Sequence, residues 1–304
     1  MRVTLTGATG LIGTAVITAL SEREDEVTVL SRNPERARSR LGEGVQAVRW
    51  DPQSEPAPAE ALAGRDGVLN LAGEPIAQRW NERVKRAIRD SRVIGTRNLV
   101  RGLAALDADV RPGVMVSSSA IGYYGARGAE PIDEEASPGA DFLAQVCAQW
   151  EAEARAVTTL QIRSVQVRTG VVLDRAGGAL EKMLPPFRLG IGGPVAGGRQ
   201  YVAWVQRDDL IGMMLAALDD ARWSGPVNAT APEPVSNREL SHALGRVLHR
   251  PAFLPVPGLA LQLLYGEMAE IVTTGVRAVP AKALVLGYDF KYPRLEDALR
   301  ATLA

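Results

Sequence analysis

The sequence predicts an α/β protein: a doubly wound parallel sheet followed by a smaller C-terminal α+β domain. Three observations predict it. Short apolar runs alternate with longer helical repeats through the first half. A glycine-rich turn joins the first run to the first helix. The alternation stops near residue 170, where glycines and then prolines take over.

Val3 and Leu5 alternate with Arg2 and Thr4 in a strand leading into Gly7. Leu11, Ile12, Ala15, Val16, Ala19 and Leu20 then recur at helical spacing. Further strands start at Val27 and Val29, at Val45 and Val48, and at Val68 to Leu71. Between 80 and 103, Val84, Ile88, Ser91, Leu99, Val100 and Leu103 suit one long helix with charged outer faces. Val114-Met115-Val116 is a short apolar strand ending in three serines, Phe142 to Ala156 reads as helix, and Leu160 to Val167 as strand. Strands separated by helices need crossover connections, hence a parallel sheet with helices on both faces. Beyond it, Gly177-Gly178, Gly190, Gly192-Gly193 and Gly197-Gly198 predict a loop lining a cleft. Asp208-Asp209 are expected to cap a helix over Leu210 to Leu218, and eight prolines from Pro226 to Pro293 divide the remainder into short pieces. The expected division is 1–170 plus about 201–225 for the sheet domain, with about 171–200 plus 226–304 for the smaller one.

Composition narrows the function. The chain has 304 residues, 46% apolar, with 35 basic and 35 acidic side chains. Zero net charge gives no footprint for nucleic acid or an anionic membrane. The one cysteine, Cys147, cannot close an internal disulfide, and His242 and His249 alone cannot build a zinc site. No apolar run reaches about 18 residues, because Pro255, Pro257 and Gly258 interrupt the best candidate. The first residues run into a strand with no signal-like core before them. These features predict a cytoplasmic protein, monomer or homodimer, acting on a small molecule of unknown identity.

Thr6-Gly7-Ala8-Thr9-Gly10-Leu11-Ile12-Gly13 stands between the first strand and the first helix, the context a dinucleotide-binding turn requires. Gly7 permits the tight turn, Gly10 admits phosphate oxygens to the backbone, and Gly13 lets helix and sheet approach. The helix N-terminus then offers N–H groups and partial positive charge to a pyrophosphate, with Thr9, Leu11 and Ile12 alongside. At the end of the second strand, where an acid would grip the ribose of NAD, the chain has Ser31-Arg32-Asn33. Arg32 can pair with a 2′-phosphate and Ser31 can add a hydrogen bond, so NADP(H) is the expected cofactor.

Thr6–Gly13, Asn70-Leu71-Ala72-Gly73, and Ser117-Ser118-Ser119 followed by Tyr123-Tyr124-Gly125 occur in the order of the short-chain dehydrogenase/reductase superfamily, whose extended branch of epimerases and dehydratases the chain resembles. More narrowly it resembles an atypical epimerase-like subfamily. That likeness rests on Leu71-Ala72-Gly73-Glu74-Pro75-Ile76 with Arg79-Trp80, Ser91-Arg92 with Thr96, Trp150-Glu151, Arg168-Thr169-Gly170, Gly198-Arg199-Gln200, Gly266-Glu267-Met268-Ala269 and Gly287-Tyr288-Asp289-Phe290. Gln206 departs from it, standing where many relatives have histidine. The resemblance implies a Rossmann domain, NADP binding with Leu71, Ala72, Gly73 and Ser118 at the cofactor, and a small C-terminal substrate domain.

The superfamily pairs a tyrosine with a lysine four residues later on one helix. Here no lysine lies between Lys85 and Lys182, and the pair becomes Phe142/Val146 or Leu143/Cys147. Ser119 is the expected heir of the catalytic serine, and Tyr123 or Tyr124 a substitute acid, with Arg127 able to stabilise a phenolate. Cys147 reads as a small buried residue. Glu74, Arg79, Trp80 and Arg199 are candidate substrate contacts. Lys182 and Arg188 read as surface charge, and Glu151 and Glu267 as ion-paired structural residues. Three functions are open: an NADP(H)-dependent oxidoreductase, a non-catalytic NADP sensor, and a nucleotide-sugar epimerase.

Overall fold

The computed structural model describes residues 1–42 and 44–304. Seven strands, β1 (Arg2–Thr6), β2 (Glu26–Ser31), β3 (Gln46–Arg49), β4 (Gly67–Asn70), β5 (Val114–Ala120), β6 (Arg163–Thr169) and β7 (Gly225–Ala229), form one sheet. Its order is β7-β6-β5-β4-β1-β2-β3 and every pairing is parallel. The order reverses between β1 and β4, the topological switch point where ligands of such sheets sit. The strands are apolar runs because helices cover both faces.

The helices of eight residues or more are α1 (Leu11–Glu22), α2 (Pro34–Leu41), α3 (Glu82–Ala104), α4 (Phe142–Arg155), α5 (Gly178–Arg188), α6 (Arg207–Asp219), α7 (Asn237–Leu248), α8 (Gly258–Tyr265) and α9 (Leu295–Leu303). On one face Val16, Ile17 and Leu20 of α1 pack with Leu210, Met213 and Met214 of α6 against Val3, Leu5 and Val116. On the other, Leu99 and Leu103 of α3 and Ala154 of α4 pack on Val68 and Met115. A separate apolar cluster joins α5, α7 and α9 through Leu180, Leu184, Leu244 and Leu299.

The structure departs from expectation in four places. β5 continues through all three serines, burying Ser117 and Ser119. The glycine-rich stretch holds α5, because Leu180, Leu184 and Phe187 recur at helical spacing and bury one face despite Pro185 and Pro186. The sheet extends past residue 225, where β7 pairs with β6. Finally, α6 is capped by the Gln206 side chain, which accepts from the Asp208 amide, so Gln206 has a structural task. Asp209 instead accepts the amides of Lys291 at 2.8 Å and Tyr292 at 2.9 Å, fastening the chain's last segment to α6.

Candidate functional site

At the switch point the glycines divide their tasks. Gly7 has φ +70° and lies against the next strand's end, where a Cβ would stand 2.6 Å from the Leu71 carbonyl carbon. A Cβ at Gly13 would strike the Gly7 carbonyl oxygen, so both glycines seat α1 against the sheet. Gly10 differs. It is exposed, and the nearest atom an added Cβ would meet is the Gly7 oxygen at 3.3 Å. Gly10 caps α1 without a side-chain hydrogen bond, and the first turn carries no acid. The N–H groups of that turn are therefore open to an anion, a cradle that fits a pyrophosphate. Leu11 packs toward Gly177, Ile12 packs against the core, and Thr9 in the turn is half-buried.

At the end of β2, Asn33 caps α2 by accepting the Arg36 amide at 2.9 Å. The Ser31 hydroxyl is engaged locally with Asn33, at 3.2 Å to both its amide and its carbonyl. Arg32 is exposed and makes no side-chain hydrogen bond to a described residue. The sequence reading missed Asp51, beyond the end of the neighbouring strand. Its carboxyl is held below the usual range by the Ser54 hydroxyl and the Gln53 amide, with help from the positive charges of Arg32 and Arg49.

Beneath the β4 end lies a buried polar network. Thr6 donates to Asn70 at 2.8 Å, and Asn70 donates to Thr96 at 2.9 Å and to Ser117 at 3.2 Å. The Trp150 indole N–H reaches Thr96 at 2.9 Å. The amides of Leu71 and Ala72 donate to the Thr6 hydroxyl, which fixes the backbone leading to Gly73.

Above this network is a cavity of about 220 Å³ between the ends of β4 and β5 and helices α3 and α4. Its apolar wall includes Leu71, Ile76, Leu143, Val146 and Trp150; Gly73, Arg92, Ser118, Ser119 and Cys147 also line it. Thus three of the four positions where a Tyr/Lys pair could stand, Leu143, Val146 and Cys147, line the cavity and supply no acid. Burial pushes the Cys147 thiol up to about 12, as expected of a packed, unreactive cysteine. Arg92, whose charge burial disfavours, reaches in from α3.

Ser118 and Ser119 both line this cavity but differ in their partners. Ser118 makes no side-chain hydrogen bond to a described residue, whereas Ser119 donates to Glu151 Oε1 at 2.7 Å. Glu151 in turn holds Arg168, whose Nη1 reaches the Tyr124 hydroxyl at 2.9 Å. Tyr124 is wholly buried and donates to Asn228 at 2.6 Å, and burial raises its pKa to about 12. This corrects one expectation: Tyr124 is a core residue and no ligand-facing acid. Arg127 stabilises no phenolate, since it donates to the carbonyls of Tyr124 and Ser137. Tyr123 lies half-buried over Arg168, ring centroid 3.6 Å from Cζ, outside the cavity wall.

The remaining candidates are dispersed. The Glu74 amide donates to Ser91 at 2.9 Å, and its carboxylate accepts from Gln78 at 3.3 Å. Trp80 donates to the Ile76 carbonyl at 2.9 Å and meets Phe142 edge-on. Arg79 is exposed beside Gly266, near the ion pair between Lys85 and Glu267. Lys182 ties α5 to the Ala77 carbonyl at 3.1 Å. Arg199 is exposed in a glycine turn beside α7 and is not brought to the cavity. Two participants carried sequence signals without an assigned role: Arg92 within Ser91-Arg92, and Arg168 as a charge alternating with the apolar Val165 and Val167.

A parallel sheet with this order, an open glycine turn at its switch point and a cavity beyond β4 and β5 define an extended Rossmann-type protein. The chain belongs to the NAD dependent epimerase/dehydratase family, whose profile matches residues 3–228. A domain of unknown function, DUF1731, matches residues 256–302. The chain is 38% identical over 304 residues to a chloroplastic epimerase family protein SDR39U1 homolog of Arabidopsis thaliana, covering all of this chain and 87% of that one. It is 36% identical to human epimerase family protein SDR39U1, with both chains fully covered. A crystal structure of the human protein (isoform 2) with NADPH superposes with a TM-score of 0.88 at 34% identity over 99% of each chain. UDP-glucuronic acid 4-epimerase from Bacillus cereus, at 17% identity and a TM-score of 0.78 over 99% and 98% of the two chains, shares the fold. Because the Arabidopsis relative is named chloroplastic, kinship leaves the compartment open. No helix among the described residues is long and apolar enough to cross a membrane.

Proposed function

We propose that this protein binds NADP(H) along the carboxyl edge of its sheet and serves as an oxidoreductase for a small molecule. The observation carrying this is the open cradle at Gly10, with the N–H groups of α1 aimed at it and no side chain filling it. Arg32, exposed at the β2 end without a carboxylate bonded to it, suits a 2′-phosphate, and the human relative crystallised with NADPH supports that choice. Gly7, Thr9, Gly10, Leu11, Ile12 and Gly13 would hold the pyrophosphate, Ser31 and Arg32 the adenosine phosphate, and Leu71, Ala72, Gly73 and Ser118 the other end. When bound, the dinucleotide supplies hydride transfer. Ser119 positions its hydroxyl on Glu151, and Tyr123 keeps a phenol free of protein partners among the described residues. The test is a fluorescence titration. NADPH should bind more tightly than NADH, and Arg32→Ala should remove roughly 10–100-fold of that preference; equal affinity in the wild type overturns it.

A second reading is a non-catalytic NADP sensor. It is favoured by the cavity's apolar α4 wall, by the engagement of the Ser119 hydroxyl with Glu151, and by the burial of Tyr124 in the core. A nucleotide-sugar epimerase fits least well, since nothing on α4 replaces the Tyr/Lys pair. Exchange of hydride between labelled NADPH and a turned-over substrate separates enzyme from sensor.

A further inference from the structure

Both histidines of the chain and two arginines come together at one surface pocket that the cofactor reading leaves unused. The pocket has about 550 Å³ and is lined by His242, Arg246, His249 and Arg250, with Phe253 beside them. His242 and Arg246 stand four residues apart on α7 and share one face of it, and His249 follows at its end. Gly245 brings the returning chain up to the helix: an added Cβ would stand 2.5 Å from the Ala252 Cβ and 2.9 Å from the Arg250 carbonyl oxygen. The amides of His249 and Arg250 close α7 on the carbonyls of Arg246 and Gly245, at 3.1 and 2.9 Å.

His249 sits in this closure at φ 53° and ψ 44°, the left-handed conformation that favours glycine. The chain thus keeps an imidazole where the backbone would be more relaxed without one, and such local conflicts gather at functional positions. Neither imidazole hydrogen-bonds to a described residue. Arg250 gives Nε to the Arg188 carbonyl at 3.1 Å and leaves both terminal nitrogens without a described partner. Arg246 gives Nε and Nη2 to Glu296 of α9, at 2.8 Å for Nε, and leaves Nη1. Glu296 does not line the pocket, and no other described carboxylate does. Every polar side-chain atom of the described wall is therefore a nitrogen.

A wall of nitrogen donors selects an anion. Donors spread over four side chains suit the several oxygens of a phosphate better than the two of a carboxylate. Phe253, 70% exposed, adds an uncovered aromatic ring on which a base can stack. The volume falls within the ~300–1,000 Å³ of small-molecule sites.

We infer that this pocket is a second nucleotide site, taking a nucleoside monophosphate with its phosphate among Arg246, Arg250 and the two imidazoles and its base on Phe253. None of these residues belongs to the cofactor cradle, so the inference does not rest on the NADP(H) proposal.

The test titrates the full chain with AMP, adenosine or inorganic pyrophosphate and follows the imidazole C–H signals by proton NMR. With His242 and His249 the only histidines, every such signal belongs to this pocket. AMP should shift both signals and bind roughly 10–100-fold more tightly than adenosine. Arg250→Gln, a change at an exposed residue, should remove most of that margin. Phe253→Ala should weaken AMP about tenfold and leave pyrophosphate unchanged. His249→Gly relieves the left-handed backbone, so it should raise the unfolding midpoint and yet weaken AMP binding, read from His242. Equal binding of AMP and adenosine overturns the inference, as does full AMP affinity in Arg250→Gln or His249→Gly. Pyrophosphate binding as tightly as AMP, with Phe253→Ala without effect, rules out the nucleoside. Arg32→Ala, at the proposed cofactor site, should leave the AMP shifts in place; if it abolishes them, the nucleotide sits in the cofactor cradle and this site falls. If NADPH does not bind while Arg250→Gln still removes the AMP shifts, this site stands and the cofactor proposal falls.

Discussion

Arg168 and Glu151 form a two-pronged ion pair shielded from water: Nε to Oε1 is 2.8 Å and Nη2 to Oε2 is 2.9 Å, with side-chain exposures of 3% and 0%. Ser119, Tyr124 and the Glu134 carbonyl complete the polar shell. The pair joins β6 to α4 and so braces the wall of the candidate site.

Arg168→Met should therefore be costly. It strands the Glu151 carboxylate in the interior, and breaking such a pair from one side typically costs about 3–5 kcal/mol. Arg155, 3.4 Å from Glu151 on the exposed side of α4, is a weak replacement. Urea unfolding should show the loss, and Arg168→Met with Glu151→Met should regain much of it.

The two tyrosines should respond differently. Tyr124→Phe leaves Asn228 and Arg168 short of a buried partner and should cost about 1–3 kcal/mol of stability. Tyr123→Phe removes a hydroxyl with no described partner and should leave the unfolding midpoint in place. If the protein turns over a substrate, Tyr123→Phe should lower kcat with NADPH affinity unchanged; an unaltered kcat removes Tyr123 from the chemistry.

Gly10→Val should fold and fail to bind. Among the described residues the only atom a Cβ meets there is the Gly7 oxygen at 3.3 Å, so the sheet tolerates it while the cradle is blocked. Calorimetric NADPH binding by a folded Gly10→Val protein would place the cofactor elsewhere.

Asp209 sets a pH dependence. Burial raises its carboxyl above the ordinary value, against the pull of the Lys291 and Tyr292 amides. The native state thus holds this proton more tightly than the unfolded chain, so stability from this group rises as pH falls towards the unfolded value of ~3.9 and is lost as pH rises through the folded pKa. Asp209→Asn cannot titrate. Denaturation midpoints of wild type relative to Asp209→Asn should increase on acidification; a constant difference across that window refutes the assignment.

The sheet was legible because its strands are apolar runs and its helices keep one periodicity, as Val114-Met115-Val116 and Leu11 to Leu20 show. The glycine turn was legible because its chemistry is local. α5 was hidden, since the glycines flanking it drew attention from Leu180, Leu184 and Phe187. The cavity was hidden for another reason. Arg92, Gly73, Ser118 and Cys147 come from four separate segments, and only the packing of α3 on α4 brings them together. Likewise, Tyr123 and Tyr124 are neighbours in sequence, but a short 3₁₀ turn sends one ring into the core and leaves the other half-exposed.

The fastening of residues 291 and 292 to Asp209 also governs how the molecule comes apart. The anion belongs to a helix lying on the sheet, while its donors arrive from the last fifteen residues of the chain. Peeling away the chain beyond residue 230 would uncover that carboxylate and strip the cover from α6. Heating should therefore give one calorimetric peak, and limited proteolysis should not release a long-lived fragment ending near residue 230.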